Sequence, residues 1–481
     1  MLFNSYVFIF LFLPATVCVY YAARRWAGHA AALTVLAVAS LVFYAWWDVR
    51  NVLLLGGSIL GNYAIGSRLE ANRSRALLIA GIVLNLAVLA LFKYANFFLA
   101  NLGALSGGPM AVVALALPLG ISFFTFEQIT FLVDVMRGRT RPGSLLSYAV
   151  FVGFFPHLIA GPIVQHRDLG GQLQDGSRRD DVWMNLSVGL SIFAVGLGKK
   201  VLLADNFAPL ASGAFDAADR GALLSGGAAW AGALCYTLQI FFDFSGYSDM
   251  AIGLARMLGY QLPVNFDAPY RSTSIVEFWR RWHISLSTFL RDYLYIPLGG
   301  NRYGEARRLI NLMITMLLGG LWHGAGWTYV VWGGLHGLYL CIAHLWSQRV
   351  GQGSGALRRV FGWSVTMLAV VLAWVFFRAK TFAGAWLMLR AMAGAGRVAE
   401  GVNAAQIAWI ALGVSIILLL PDTARFFGKW MAEPDGSRGD LDQPGPLRWR
   451  PSAVWATLTA LCLVWSVLHL ARVSEFIYYQ F

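Results

Sequence analysis

Apolar runs of about 20 residues recur along this chain, separated by short polar stretches, and each is long enough to cross roughly 30 Å of hydrocarbon as a helix. The first five predict helices near residues 3–22, 29–46, 51–65, 76–99 and 112–135. The loops between them alternate in charge. Arg24-Arg25, Arg68 to Arg75 and Arg137 to Arg141 are basic; the 46–50 loop carries only the balanced Asp48 and Arg50, and 101–108 carries no charge. The positive-inside rule then places the N-terminus outside and the Arg-rich loops in the cytoplasm. The first run lacks a basic leader and a small-residue cleavage site, so it reads as a retained helix rather than a signal peptide.

Beyond residue 141 the pattern is interrupted. Ser147 to Gln165 is apolar but contains Gly153, Pro156, Gly161 and Pro162, with charge on both flanks. It predicts a re-entrant segment, which needs cover from protein or a water-filled cavity. A helix near 184–203, a small-residue loop from Ala211 to Gly227 and a long apolar run, 228–257, follow. That run contains Asp243-Phe-Ser-Gly-Tyr-Ser-Asp249. These polar residues fit either a helix break that satisfies freed backbone groups or a polar lining of a substrate path that includes Asp243 and Ser248. Ser248 is a weak nucleophile candidate, because no strand precedes it. Leu309 to His323 is about 22 Å as helix, short for a span, and glycines cluster between it and the next apolar segment at Trp327. The expectation is a helix broken near His323, inside the membrane. Later helices fall near 361–377, 407–420 and 454–470, with a polar loop from Phe427 to Arg450.

Composition agrees with a polytopic all-α membrane protein: 58% of the 481 residues are hydrophobic and 13% are charged. The net charge of +13 sits in loops between apolar runs, a topological distribution rather than a nucleic-acid-binding one. Cys18, Cys235, Cys341 and Cys462 are dispersed in apolar segments and read as small hydrophobes.

Candidate chemistry concentrates in Phe278-Trp-Arg-Arg-Trp-His-Ile-Ser-Leu-Ser-Thr-Phe-Leu-Arg-Asp292 and in Leu318-Gly-Gly-Leu-Trp-His-Gly-Ala-Gly326. Ionisable residues near hydrocarbon face a partner, a cavity or a substrate path. His323, in the middle of an apolar run, should be neutral, which suits a general base; the alternative is a hydrogen bond between helices. His283 stands among Arg280, Arg281 and Arg291, which favours an anion or lipid headgroups. His157 and His166 flank the Pro-Gly segment and could contact a substrate. His323 and His336 would lie about 20 Å apart on a continuous helix, and no Cys, Asp or Glu stands beside them at ligand spacing, so no metal is expected. The residues alone leave two classes: an enzyme acting within the bilayer, or a transporter with charged residues along its path.

The motifs are more specific. Phe278 to Ser287, Arg291-Asp-Tyr-Leu-Tyr-Ile-Pro-Leu-Gly-Gly-Asn-Arg302, Gly320-Leu-Trp-His-Gly-Ala325, Leu117 to Phe126, Phe155 to Pro162, Asp243 to Asp249 and Asn265-Phe-Asp-Ala-Pro-Tyr-Arg271 resemble the membrane-bound O-acyltransferase family. The opening Met1 to Pro14 is similar too, and the likeness is strongest to the bacterial branch typified by the alginate O-acetyltransferase membrane subunit. Phe289 departs from the tryptophan expected there. The resemblance implies a single transmembrane domain of about ten to twelve helices around a central cavity, in sections 1–141, 142–345 and 346–481. It implies His323 as catalytic histidine, His283 as its support, and His336 in a lesser role. Arg280, Arg281, Arg291, Asp292, Trp322, Asp243 and Ser248 complete the candidate site. Acetyl-CoA would be the donor substrate, with no other cofactor. A periplasmic acetyltransferase partner and an extracytoplasmic polysaccharide would receive the acetyl group at the bacterial inner membrane.

Overall fold

The apolar runs fold as helices in the computed structural model, which describes residues 1–108, 112, 115–159, 161–176, 181–350, 355–396, 402–431, 441 and 447–470. No extended β-strand occurs among the described residues. The first section comprises α1 (Phe8–Trp26), α2 (His29–Ala45), α3 (Arg50–Asn72) and α4 (Arg75–Ser106). The third helix runs past its expected end at Ile65, because Gly66 packs against Phe131 and continues the buried face. Ser74 starts α4 by accepting a hydrogen bond from the Leu77 amide. The fifth helix, α5 (Ile121–Met136), begins nine residues later than expected. Gly120 at φ 73° sets its start, a conformation that glycine adopts without strain. Residues 113 and 114 of the expected helix lie outside the described residues.

The re-entrant expectation matches the structure. After α6 (Leu145–Gly153) the described part of 154–165 is buried, non-helical backbone, followed by α7 (His166–Gln174). The Phe151 and His166 rings meet at 4.9 Å, and Thr140 bonds His166 at 2.6 Å, so both ends of the segment lie beside the Arg137–Arg141 loop.

Two expectations are corrected next. Helix α8 (Val182–Asp219) continues through Ala211, where a loop was expected; its alanine-rich end favours helix. Helix α9 (Gly226–Met257) runs unbroken through Asp243 to Asp249. Its Asp243 and Asp249 meet Lys200 and Lys199 of α8. The two helices pack antiparallel and close, with Gly189 facing the Gly253 carbonyl and Gly196 facing that of Gly246. A Cβ at either Gly189 or Gly196 would come within 2.6 Å.

Short helices α10 (Ile275–Arg281) and α11 (Ile284–Leu290) carry the aromatic-basic motif. Helices α12 (Gly304–His323) and α13 (Trp327–Val350) follow. The break expected near His323 is present, and it takes the form of a reversal. Gly320 touches the Tyr329 carbonyl, Gly333 touches that of Met316, and Gly337 packs on Met313. These contacts make an antiparallel hairpin with His323 at its tip. The last section holds α14 (Ala356–Arg378), α15 (Phe382–Met392), α16 (Ala404–Leu419), α17 (Thr423–Phe427) and α18 (Ala453–Leu468). Most of the polar loop 427–450 lies outside the described residues. Four described helices are long and apolar enough to span a membrane unaided: α1, α4, α8 and α14.

Candidate active site

His323 ends α12, and its position depends on how that helix terminates. The last carbonyls of a helix lack intrahelical partners and carry partial negative charge. A π-helical turn in α4, Ala90–Tyr94, supplies the donors. Tyr94 bonds the Leu321 carbonyl at 2.8 Å, and Lys93 Nζ bonds those of Trp322 at 2.6 Å and His323 at 3.2 Å. Trp327, just past the turn, donates to Asn101 at 2.9 Å. Lys93 was not among the sequence candidates. Its signal was available: a lone cation inside an apolar run.

The His323 ring is buried, 5.0 Å from Trp322, 5.0 Å from Trp332 and 5.2 Å from Phe377. It lines a cavity of about 260 Å³ together with Trp47, Lys93, Pro118, Ser122 and Trp322. Trp47 lies at the opposite end of α2 from Arg24-Arg25, and His323 at the opposite end of α12 from Arg307-Arg308. The cavity therefore belongs to the side away from the Arg-rich loops.

His283 approaches from the α10–α11 junction. Its centroid lies 6.4 Å from that of His323 and 6.3 Å from Trp322, with Phe244 edge-on at 4.6 Å. The backbone there is left-handed, φ 42° and ψ 57°, a strained conformation for histidine that its surroundings must maintain. Asn265 holds it: the Asn265 carbonyl accepts from the Ile284 amide at 3.0 Å, and Asn265 Oδ1 lies 3.1 Å from His283 Nδ1. Asn265 also donates to Ser248 at 3.2 Å, which places Ser248 behind His283 rather than at the reacting position.

His336 lies one ring further on, with Trp332 at 4.8 Å. Trp279 Nε1 donates to His336 Nδ1 at 3.3 Å. Indole can only donate, so neutral His336 carries its proton on Nε2.

The charged candidates separate into groups. Arg280 is exposed and Arg281 pairs with Glu277 at 2.9 Å; among the described residues neither bonds to His283. Arg291 pairs with Asp292 at 2.7 Å, and Arg167 reaches the same carboxylate at 3.5 Å. An aromatic ladder joins this group to the histidines. Trp322 stacks on Phe126 at 5.2 Å, Phe126 on Phe289 at 4.1 Å, and Phe289 on Tyr293 at 5.5 Å, with Arg137 over Tyr293. Phe289, where tryptophan was expected, keeps the stack. Asp243 belongs elsewhere: it pairs with Lys200 at 2.7 Å. His157 meets Glu127 at 3.0 Å, and His166 meets Thr140, so both tie the re-entrant segment to the first section. Among the described residues, no group of three His, Cys, Asp or Glu side chains could hold a metal.

Fold and site define a polytopic helical membrane protein with paired imidazoles buried at a re-entrant, hairpin-built centre. The sequence pattern of MBOAT, the membrane-bound O-acyltransferase family, matches residues 75–377, and the chain belongs to this family. It is 41% identical to the probable alginate O-acetylase AlgI of Pseudomonas aeruginosa over the whole of both chains. It is also 41% identical to the peptidoglycan O-acetyltransferase of Helicobacter pylori, covering 82% of this chain and 80% of that one. A teichoic acid D-alanyltransferase of Streptococcus thermophilus is 31% identical over 48% of this chain and 58% of its own. The chain is an O-acyltransferase.

Proposed function

We propose that the chain takes an acetyl group from acetyl-CoA on the Arg-rich, cytoplasmic side and passes it to a hydroxyl arriving from the opposite side. The relatives named for alginate and peptidoglycan acetylation support an extracytoplasmic glycan as the final acceptor, reached through a periplasmic acetyltransferase partner. The membrane is then the bacterial inner membrane, with the N-terminus periplasmic, a placement that the alternation of basic loops supports.

The observation that carries this reading is His323 at the hairpin tip, between its cavity on one side and the aromatic ladder to Arg167 and Arg291 on the other. The arginines suit the phosphates of the donor. Neutral His323 takes the hydroxyl proton as the oxygen forms its bond to the acetyl carbon. The carbon–sulfur bond breaks, and the thiolate leaves with the proton that His323 returns. His283 supports this step from beside Trp322. Trp322, stacked on Phe126, walls the path between donor and acceptor.

Full-length protein in proteoliposomes tests this. It should consume acetyl-CoA and form an acetyl ester, on a hydroxyl acceptor or on a partner protein, without an ion gradient. A gradient requirement, with the acceptor translocated unmodified, contradicts acyl transfer and favours the transporter reading.

A further inference from the structure

The hydrogen bonds around Asn265 constrain where the proton of His283 resides. The Ser285 amide lies 3.2 Å from Asn265 Oδ1, and a backbone N–H can only donate. This fixes the amide orientation: a flipped Asn265 would set its NH2 against that donor. Oδ1 is therefore an acceptor. Ser285 Oγ donates to it at 2.9 Å and itself accepts from the Ile163 amide at 2.9 Å. Asn265 Nδ2 is directed at Ser248. His283 Nδ1, at 3.1 Å from the same oxygen, must carry the hydrogen. The remaining nitrogen, Nε2, is then a bare lone pair. It is buried and has no hydrogen-bond partner among the described residues. His336 shows the opposite arrangement, with Nδ1 accepting from Trp279.

We propose that Asn265 is a positioning residue that locks His283 as the Nδ1–H tautomer, so that the Nε2 lone pair supports the imidazolium that His323 becomes when it takes the hydroxyl proton. His283 thus works as a neutral lone-pair acceptor beside His323 and not as part of a cationic anchor with Arg280 and Arg281. Ser285 and the Ile163 amide hold Asn265 in turn, which gives the re-entrant segment a part in setting the tautomer. This rests on the acyl-transfer reading.

Two measurements on the full chain in proteoliposomes test it. Solid-state 15N NMR of histidine-labelled protein, with His283→Gln identifying the signals, should show His283 protonated at Nδ1 alone at neutral pH. Protonation at Nε2, or an imidazolium, overturns the proposal. The second measurement is release of the CoA thiol from acetyl-CoA, and absence of release by the wild type counts against the acyl-transfer reading while leaving the tautomer result intact. Asn265→Leu should lower kcat by about 10²–10⁴-fold with KM for acetyl-CoA within about threefold. Asn265→Asp retains an acceptor at Oδ and should stay within about tenfold of wild-type kcat. A folded Asn265→Leu with wild-type kcat, or a folded Asn265→Asp as inactive as Asn265→Leu, overturns it. If Asn265→Leu does not fold, the wild-type tautomer and Asn265→Asp decide.

Discussion

Two of the buried polar clusters among the described residues are built on opposite principles. In the first, Lys200 stands between Asp205 at 2.8 Å and Asp243 at 2.7 Å, all nearly inaccessible. Beside it Lys199 meets Asp249 at 2.8 Å and Asp422 at 3.6 Å, with Thr423 on the Asp249 carboxylate. Every charge there faces its opposite. In the second, the histidines sit among tryptophan and phenylalanine rings, and Nε2 of both His283 and His336 is left without a hydrogen-bond partner among the described residues. A saturated cluster fastens helices to each other. The open cluster adjoins His323, which lines the cavity, and buried polar atoms without partners call for an explanation that packing alone does not give.

The largest effect expected from this comparison is on stability. Lys200→Met leaves Asp205 and Asp243 buried without their cation, which should cost about 3–5 kcal/mol by denaturant unfolding in detergent. Replacing all three, Lys200→Met with Asp205→Leu and Asp243→Leu, should restore most of that stability and leave acetyl transfer intact. A triple variant that folds but transfers nothing would move this cluster into the chemistry and break the comparison.

A smaller effect is expected at Lys93, which bridges the two principles: a cation held by carbonyls, at the edge of the cavity. Lys93→Met removes the bonds to Trp322 and His323 and should cost about 1–2 kcal/mol of stability. Turnover should fall about tenfold with KM unchanged, since the His323 turn loosens. Lost stability with full turnover would instead group Lys93 with Lys200 as scaffold.

The helices were legible from the apolar runs, and the break at His323 from its glycines. Its hairpin form was not, because the reversal depends on Gly320 and Gly333 admitting a facing backbone, a contact between segments rather than a local pattern. Asp243 to Asp249 misled for the same reason. Five polar side chains in seven residues suggest a broken helix until Lys199 and Lys200 of the neighbouring helix are seen to meet two of them. The motifs singled out His323 and His283, and the structure sets the two rings 6.4 Å apart. Arg281 and Arg291 pair with Glu277 and Asp292, while Asn265, eighteen residues from His283, lies against its Nδ1. That tie depends on a left-handed residue, which no periodicity reveals.

The most direct test is transfer of labelled acetyl from acetyl-CoA by His323→Ala, measured beside its unfolding curve. The side chain lines a cavity, and the hairpin is held by glycine packing and by the Lys93 and Tyr94 bonds to backbone, so folding should stay near that of the wild type. Transfer should fall by about 10²–10⁴-fold, the usual cost of losing a general base. Near-normal transfer by a stably folded His323→Ala protein would contradict the account.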